Sequence, residues 1–256
     1  MNIGISLWNL KGDLARKIQR VVDLGFNSIS FLGSSFEEKE SMAKIIRDNN
    51  LIITFHLSFF GISEDKIIKG LDYRLNRILQ FIKSENLEKN VWSISFDPVF
   101  KNAFDFEATV MALKYTLKKI KNIHLSLENW IINSRISDLI KIKKAVNNKR
   151  LGMLLDIGHL NIAFKKNLTD KKNLCDYLKA LPFEIIEFHI HDNDGQTDSH
   201  LPIGKGNIDM VSLLKTIKKS APFHKDAVFT LEIKPKKGIK EILSSKKIVM
   251  EVFYGG

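Results

Sequence analysis

Apolar residues along this chain follow two alternating rhythms. Short, nearly continuous apolar and β-branched runs lie at 2–8, 27–32, 51–57, 91–96, 123–127, 151–155, 185–191 and 227–233. Between them, apolar residues recur every three or four positions over 13–24, 36–49, 63–84, 104–120, 136–146, 170–181, 210–219 and 239–247. The first rhythm is that of strands buried on both faces, and the second is that of amphipathic helices. In the longest helical stretch Ile67, Ile68, Leu71, Leu75, Ile78, Leu79 and Ile82 share one face. Gly25 and the pair Asn49-Asn50 stand where helices should stop. His159 opens a further helical region that breaks near Leu168, and an apolar tail (Ile248, Val249, Met250, Val252, Phe253) follows the last helix.

Eight strand–helix units of about thirty residues each close most simply into a (β/α)₈ TIM barrel. An open doubly wound sheet is the runner-up. The 256 residues show no linker or low-complexity segment, so residues 1–256 are expected to form a single domain. No apolar run reaches the roughly 18 residues of a membrane span, and the N-terminus lacks a signal-peptide pattern, which predicts a cytoplasmic protein without a membrane partner. The lone Cys175 forms no intrachain disulfide and reads as a structural thiol on a helix.

The net charge of +11 raises nucleic acid as a partner. Yet the only arginines are Arg16, Arg20, Arg47, Arg74, Arg77, Arg135 and Arg150, and arginine is the better bidentate phosphate reader. Most lysines fall on predicted outer helices, where they solvate a surface (Lys118, Lys119, Lys121, Lys141, Lys143, Lys144, Lys218, Lys219).

In a barrel, chemistry collects at the C-terminal ends of the strands. Those ends carry His56, Asp97, Glu128, Asp156 with His159, His189, Asp198 with His200, and Glu232. Any one of these fits a hydrogen-bonded rim residue. As a set they fit poorly with a barrel built for stability alone, because charges at the mouth carry a desolvation cost that a divalent cation offsets. Mixed imidazole and carboxylate ligands suit zinc or manganese better than magnesium. His191 shares a strand face with His189 and competes with it as a ligand, while His124 in its strand and His224 in a predicted loop read as structural or solvated.

Three segments carry a family resemblance. They are Leu154-Leu155-Asp156-Ile157-Gly158-His159-Leu160-Asn161, then His189-Ile190-His191-Asp192-Asn193-Asp194-Gly195 continuing through Asp198-Ser199-His200-Leu201-Pro202-Ile203-Gly204-Lys205-Gly206, and Leu231-Glu232. Together with Phe55-His56 and Leu127-Glu128-Asn129 they resemble the xylose-isomerase-like TIM-barrel superfamily, which includes sugar (phosphate) isomerases and epimerases and the endonuclease IV class. The resemblance implies that Glu128, Asp156, His189 and Glu232 form a central metal quartet. It implies a substrate contact or a further zinc ligand for His159, and a further zinc site for Asp198 and His200. His56 matches a zinc histidine whose usual histidine partner is Asp97 here, so the implied content is one to three ions. Lys205 stands where the family often has glutamate.

Two mechanisms fit this scaffold. In an isomerase or epimerase, Glu128 and Glu232 would remove and return a proton on a small sugar or sugar phosphate across the metal site. In an endonuclease IV-like enzyme, a metal cluster would hydrolyse a DNA phosphodiester, and His56, Asp198 and His200 would gain direct roles. The acidic segment Gly33-Ser34-Ser35-Phe36-Glu37-Glu38-Lys39-Glu40 speaks against a DNA partner. Lys234, Lys236 and Lys237 are candidates for holding a phosphate in either case. A barrel that binds ligand without turnover would not require two opposed glutamates, and no glycine-rich nucleotide motif is present. The isomerase or epimerase reading is preferred.

Overall fold

The computed structural model describes residues 1–33, 36, 39–58, 64–99, 104–130, 135–164, 171–234 and 238–255. Eight parallel strands run in sequence order around a closed barrel, which excludes the open sheet. They are β1 (Asn2–Ser6), β2 (Ser28–Leu32), β3 (Ile52–Leu57), β4 (Val91–Phe96), β5 (His124–Glu128), β6 (Leu151–Asp156), β7 (Ile185–Ile190) and β8 (Phe223–Leu231). The ring shuts where β1 pairs with β8 in the register Asn2 to Val228 through Ile5 to Leu231. Every residue of β6 and β7 is buried, as expected of parallel strands covered by helices.

The helices are α1 (Leu14–Asp23), α2 (Lys39–Asp48), α3 (Glu64–Ser84), α4 (Phe106–Lys119), α5 (Ile136–Val146), α6 (Ile157–Phe164), α7 (Lys171–Lys179), α8 (Met210–Ser220) and α9 (Ile239–Tyr254). Asp13, Asp105 and Asp209 cap α1, α4 and α8 by accepting the backbone N–H three residues on. Of the lysines read as solvating the outside, Lys118, Lys119, Lys121, Lys141, Lys144, Lys218 and Lys219 are exposed, while Lys143 is half-buried with its Nζ over the Phe183 ring.

Four boundaries depart from the hydrophobic pattern. β1 stops at Ser6, and Leu7–Asn9 form a 3-10 turn that lifts Trp8 off the strand. α6 follows β6 without a gap, so Gly158 and His159 lie in its first turn. β8 starts at Phe223, which places His224 in a strand rather than a loop. The apolar tail is the second half of α9. Val249 and Val252 face inward there, and Phe253 packs against Phe229 at a ring-centroid distance of 4.5 Å. This packing accounts for Val249, Val252 and Phe253, whereas Met250 of the tail is exposed.

His124 opens β5 instead of lying within it, half-buried beside Trp92 (4.5 Å) and His224 (5.9 Å). Strand rise puts it about 13 Å from Glu128, so these two histidines belong to the opposite end of the barrel from the strand-end chemistry. Among the described residues, no helix is long and apolar enough to cross a membrane.

The tight β6–α6 junction depends on a missing side chain. A Cβ on Gly158 would fall 1.8 Å from Cε1 of the fully buried His191. In an open helix, Gly→Ala stabilises by roughly 0.5–1 kcal/mol. Gly158→Ala should reverse that sign and cost about 1–3 kcal/mol through overpacking. The check is the chemical-denaturation midpoint of metal-free protein, which should fall relative to wild type.

Candidate metal centre

The end of β5 delivers Glu128, and the end of β6 delivers Asp156. β7 delivers His189, and Glu232 follows β8 directly. Thus Asp156 and His189 come from the two strands between those that present the glutamates. His189 Nδ1 lies 2.9 Å from Glu232 Oε2, 3.8 Å from Asp156 Oδ2 and 4.0 Å from Glu128 Oε1. All four side chains are buried.

Two further clusters share members with this quartet. On one side, His56 Nε2 sits 3.1 Å from Asp97 Oδ1 and 3.2 Å from Glu128 Oε2. On the other, His159 Nδ1 lies 3.1 Å from Glu128 Oε1, and its Nε2 lies 3.5 Å from Asp198 Oδ2. His200 Nε2 is 2.9 Å from that same Asp198 oxygen, and His191 Nε2 is 3.5 Å from Oδ1. His191 Nε2 also lies 3.1 Å from Asp156 Oδ1. The fold thus gathers His56, Asp97, Glu128, Asp156, His159, His189, His191, Asp198, His200 and Glu232 into one continuous site. Asp198 is the most open of them, with 31% of its side chain exposed.

The β7–α8 loop is held in place by Asp192. Its carboxylate accepts the backbone N–H groups of Asn193, Gly204, Gly206 and Ile208, and its backbone pairs with Leu201 in both directions. Gly206 is required there, since a Cβ would meet Asn193 O at 2.2 Å. This pinning carries Asp198 and His200 back over the barrel mouth. His200 adopts a positive φ of 49° and stacks on His191 at 4.2 Å.

Charge compensation sets the proton affinities. Burial alone would lower His56, but Glu128 and Asp97 lift it to about 9. Burial likewise opposes charge on His159, His189 and His191, and neighbouring carboxylates outweigh it in each, so all three rise. Burial would raise Asp156, yet His159, His191 and His189 hold it down to about 2. Glu232 is held well below the ordinary carboxylate range against burial by His189 and His200. Glu128 goes the other way: burial, together with repulsion from Asp97, pushes it up to about 8 despite His56 and His159.

The donor set fits a divalent cation. Four groups of three residues each bring one ligand atom within 4.8 Å of the others: His56, Glu128 and His189; Glu128, Asp156 and His159; Asp156, His189 and Glu232; His191, Asp198 and His200. Both ring nitrogens of His189, Nε2 of His159 and Oδ1 of Asp198 are sealed from solvent and, although Nδ1 of His189 and Nε2 of His159 lie near carboxylate oxygens, none makes a well-aligned hydrogen bond among the described residues. Polar atoms are seldom buried in that state unless something else satisfies them.

Several contributors were given no role by the sequence pattern. Trp8 Nε1 donates to Glu232 Oε1 at 2.8 Å, and the Trp8 ring meets His200 edge-on. Asn129 exchanges two hydrogen bonds with the backbone of Asp156, and Trp130 meets His159 edge-on at 4.2 Å. Glu187, fully buried, lies beneath His189. Only its place two residues before His189 on the same strand face could have signalled it. Lys234 sits on the rim with Nζ 4.8 Å from the Trp8 ring centroid. Lys236 and Lys237 lie outside the described residues, as do Ser34, Ser35, Glu37 and Glu38 of the acidic segment.

Among solved structures, the chain is similar to a D-tagatose 3-epimerase-like protein (TM-score 0.75, 20% identity, 98% of this chain and 97% of that one). It is also similar to an AP endonuclease, family 2, from Brucella melitensis (TM-score 0.69, 13% identity, 94% and 95%). At these identities the likeness shows the shared barrel. In sequence, it is 30% identical over 168 residues to the uncharacterized protein MJ1311 of Methanocaldococcus jannaschii, covering 63% of this chain and 52% of that protein. The chain thus spans about half the length of that relative. The sequence pattern of the xylose isomerase-like TIM barrel matches residues 18–247, nearly the whole of the closed barrel described above. On that match, the chain belongs to the xylose isomerase-like TIM-barrel family.

Proposed function

We propose that this protein is a metal-dependent isomerase or epimerase acting on a small sugar or sugar phosphate, with Glu128 and Glu232 as its proton-transfer groups. The observation that carries this reading is the pair's placement: Glu128 closes β5 and Glu232 follows β8, so they flank Asp156 and His189 in one quartet. Two carboxylates on opposite sides of one cation are suited to removing a proton from one face of a substrate carbon and returning one on the other. Trp8 fixes Glu232 by donating to Oε1, which leaves Oε2 as the oxygen that faces His189.

Glu128, Asp156, His189 and Glu232 would hold the cation, with zinc or manganese suited to the mixed imidazole and carboxylate set. When bound, the cation supplies polarisation of a sugar carbonyl or hydroxyl oxygen, which acidifies the adjacent C–H. Glu232 would take the proton from that carbon on one face, and Glu128 would return one on the other. His159, His191, Asp198 and His200 line the mouth beside Glu128 and Glu232 and would orient sugar hydroxyls. Lys234, whose Nζ lies over the Trp8 ring, would meet a terminal phosphate.

A second reading has its own support. The His191–Asp198–His200 group and the His56–Asp97 pair supply ligands beyond the quartet, which a two- or three-metal phosphodiester hydrolase would use. Elemental analysis of protein purified without added metal separates the two. The preferred reading expects one exchangeable ion and deuterium uptake from D₂O at a sugar carbon next to a carbonyl. Glu128→Gln and Glu232→Gln should each lower that exchange by about 10²–10⁴-fold. Two or three tightly held zincs with cleavage of abasic duplex DNA would sink it in favour of the hydrolase.

The protonation pattern gives a pH test. In the metal-free protein His56 rises from 6.5 to about 9 and Glu128 from 4.5 to about 8, so the folded state binds more protons than the unfolded chain between about pH 6.5 and 9. Stability from the raised imidazole is complete below pH 6.5 and is lost as pH climbs through 9. The thermal midpoint of metal-free protein should therefore fall across that window. Metal affinity should rise over the same window, because the cation displaces those protons. Calorimetric titration in buffers of different ionisation enthalpy should show proton release at pH 7.

A further inference from the structure

The bore beneath the metal centre is unlike that of most barrels, where branched aliphatic side chains dominate. Thr54, Ser126, Glu187 and Thr230 each lie two residues before a site residue, on the same strand face as His56, Glu128, His189 and Glu232. All four are fully buried. Glu187 is the one acid among them. Ser93 Oγ donates to Glu187 Oε2 at 2.9 Å, and because β4 and β7 are not neighbours in the ring, that bond crosses the barrel interior. It anchors one carboxyl oxygen and leaves the other, Oε1, directed at His189 Nε2 at 3.6 Å. Both of those atoms are sealed from solvent without a hydrogen-bond partner among the described residues. The opposite nitrogen of the same ring, Nδ1, faces Glu128, Asp156 and Glu232.

Building on the metal-centre reading above, we propose that Glu187 is a positioning residue that accepts the His189 Nε2–H, and so fixes the ring in the tautomer whose Nδ1 lone pair points into the quartet. A neutral imidazole has one N–H and one lone pair, and whichever nitrogen finds an acceptor sets where the lone pair goes. The other bore residues named above, Thr54, Ser126 and Thr230, carry hydroxyls, which donate as readily as they accept and so set no tautomer. Without Glu187 the ring would lose the preference that makes Nδ1 the ligand. A carboxylate behind a metal-bound histidine also raises the ring's basicity and tightens its hold on the metal. Ser93 serves the same end one step removed, by aiming the carboxylate.

The test titrates zinc into full-length wild type, Glu187→Gln and Glu187→Ala against a competing chelator. Loss of such a partner lowers metal affinity by roughly 10–100-fold. Glu187→Ala should show that loss, and Glu187→Gln, which keeps an acceptor but not the charge, a smaller one. A purely structural role would shift the metal-free thermal midpoint and leave zinc affinity at the wild-type value, and that result overturns the proposal. Should the variants fail to fold, ¹⁵N-histidine spectra of zinc-loaded wild type still decide, since His189 must be metallated at Nδ1 and protonated at Nε2. Metallation at Nε2 overturns the assignment. Wild type that binds no zinc removes the metal-centre reading and this proposal together, whereas wild type and Glu187→Ala binding equally removes only this one.

Discussion

The site rests on mutual compensation of buried charge. Asp97, Glu128, Asp156 and Glu232 are almost fully withdrawn from water, as are His56, His159, His189 and His191. An isolated carboxylate or imidazolium in that position would carry a penalty of several kcal/mol and would shed its charge instead. Each is kept by the others: imidazoles rise because carboxylates face them, and Asp156 and Glu232 fall because imidazoles face them. Glu128 is where the compensation fails, since burial, with added repulsion from Asp97, outweighs His56 and His159. An assembly held this way responds to any cation that enters it, whether protons or a metal, and the two compete for the same atoms.

The barrel makes that density of charge possible. Parallel strands all present their C-terminal ends at one rim, so residues far apart in sequence converge without any strand having to bend toward another. Loop chemistry adds the remainder. Asp192 gathers four backbone N–H groups and turns the β7–α8 connection back over the rim, which brings Asp198 and His200 to His159 and His191. Beneath the rim, small hydroxyl side chains fill the bore where aliphatic ones would normally seal it, and this leaves room for Glu187. Support for the centre thus comes from below as well as from the mouth.

The strand-end reading of the sequence found the residues that meet at the rim, because a polar or ionisable residue closing an apolar run is conspicuous. Glu187 escaped it, lying inside such a run between Ile186 and Phe188, where the pattern reads as buried strand. Trp8 escaped because a tryptophan after a strand reads as core; its bond to Glu232 spans 224 positions. The tail after residue 247 was legible as apolar but not as helix. Its inward face becomes one only against β8 and its neighbouring aromatic rings.

Local periodicity by itself determined the eight strand–helix units and their order, since each unit's hydrophobic pattern is set by its own backbone geometry, whereas the choice of a closed ring over an open sheet came from the pairing of β1 with β8. The identity of the strand-end residues that meet at the rim was also written in the sequence, because strand ends are local features. Closure of the ring decided the rest: which site residue faces which, that Glu128 and Glu232 differ in proton affinity, and that Ser93 reaches Glu187 across the bore. Those properties depend on distances between residues tens to hundreds of positions apart. Electrostatic and hydrogen-bond energies fall off over a few ångströms in space, and only tertiary structure sets that separation.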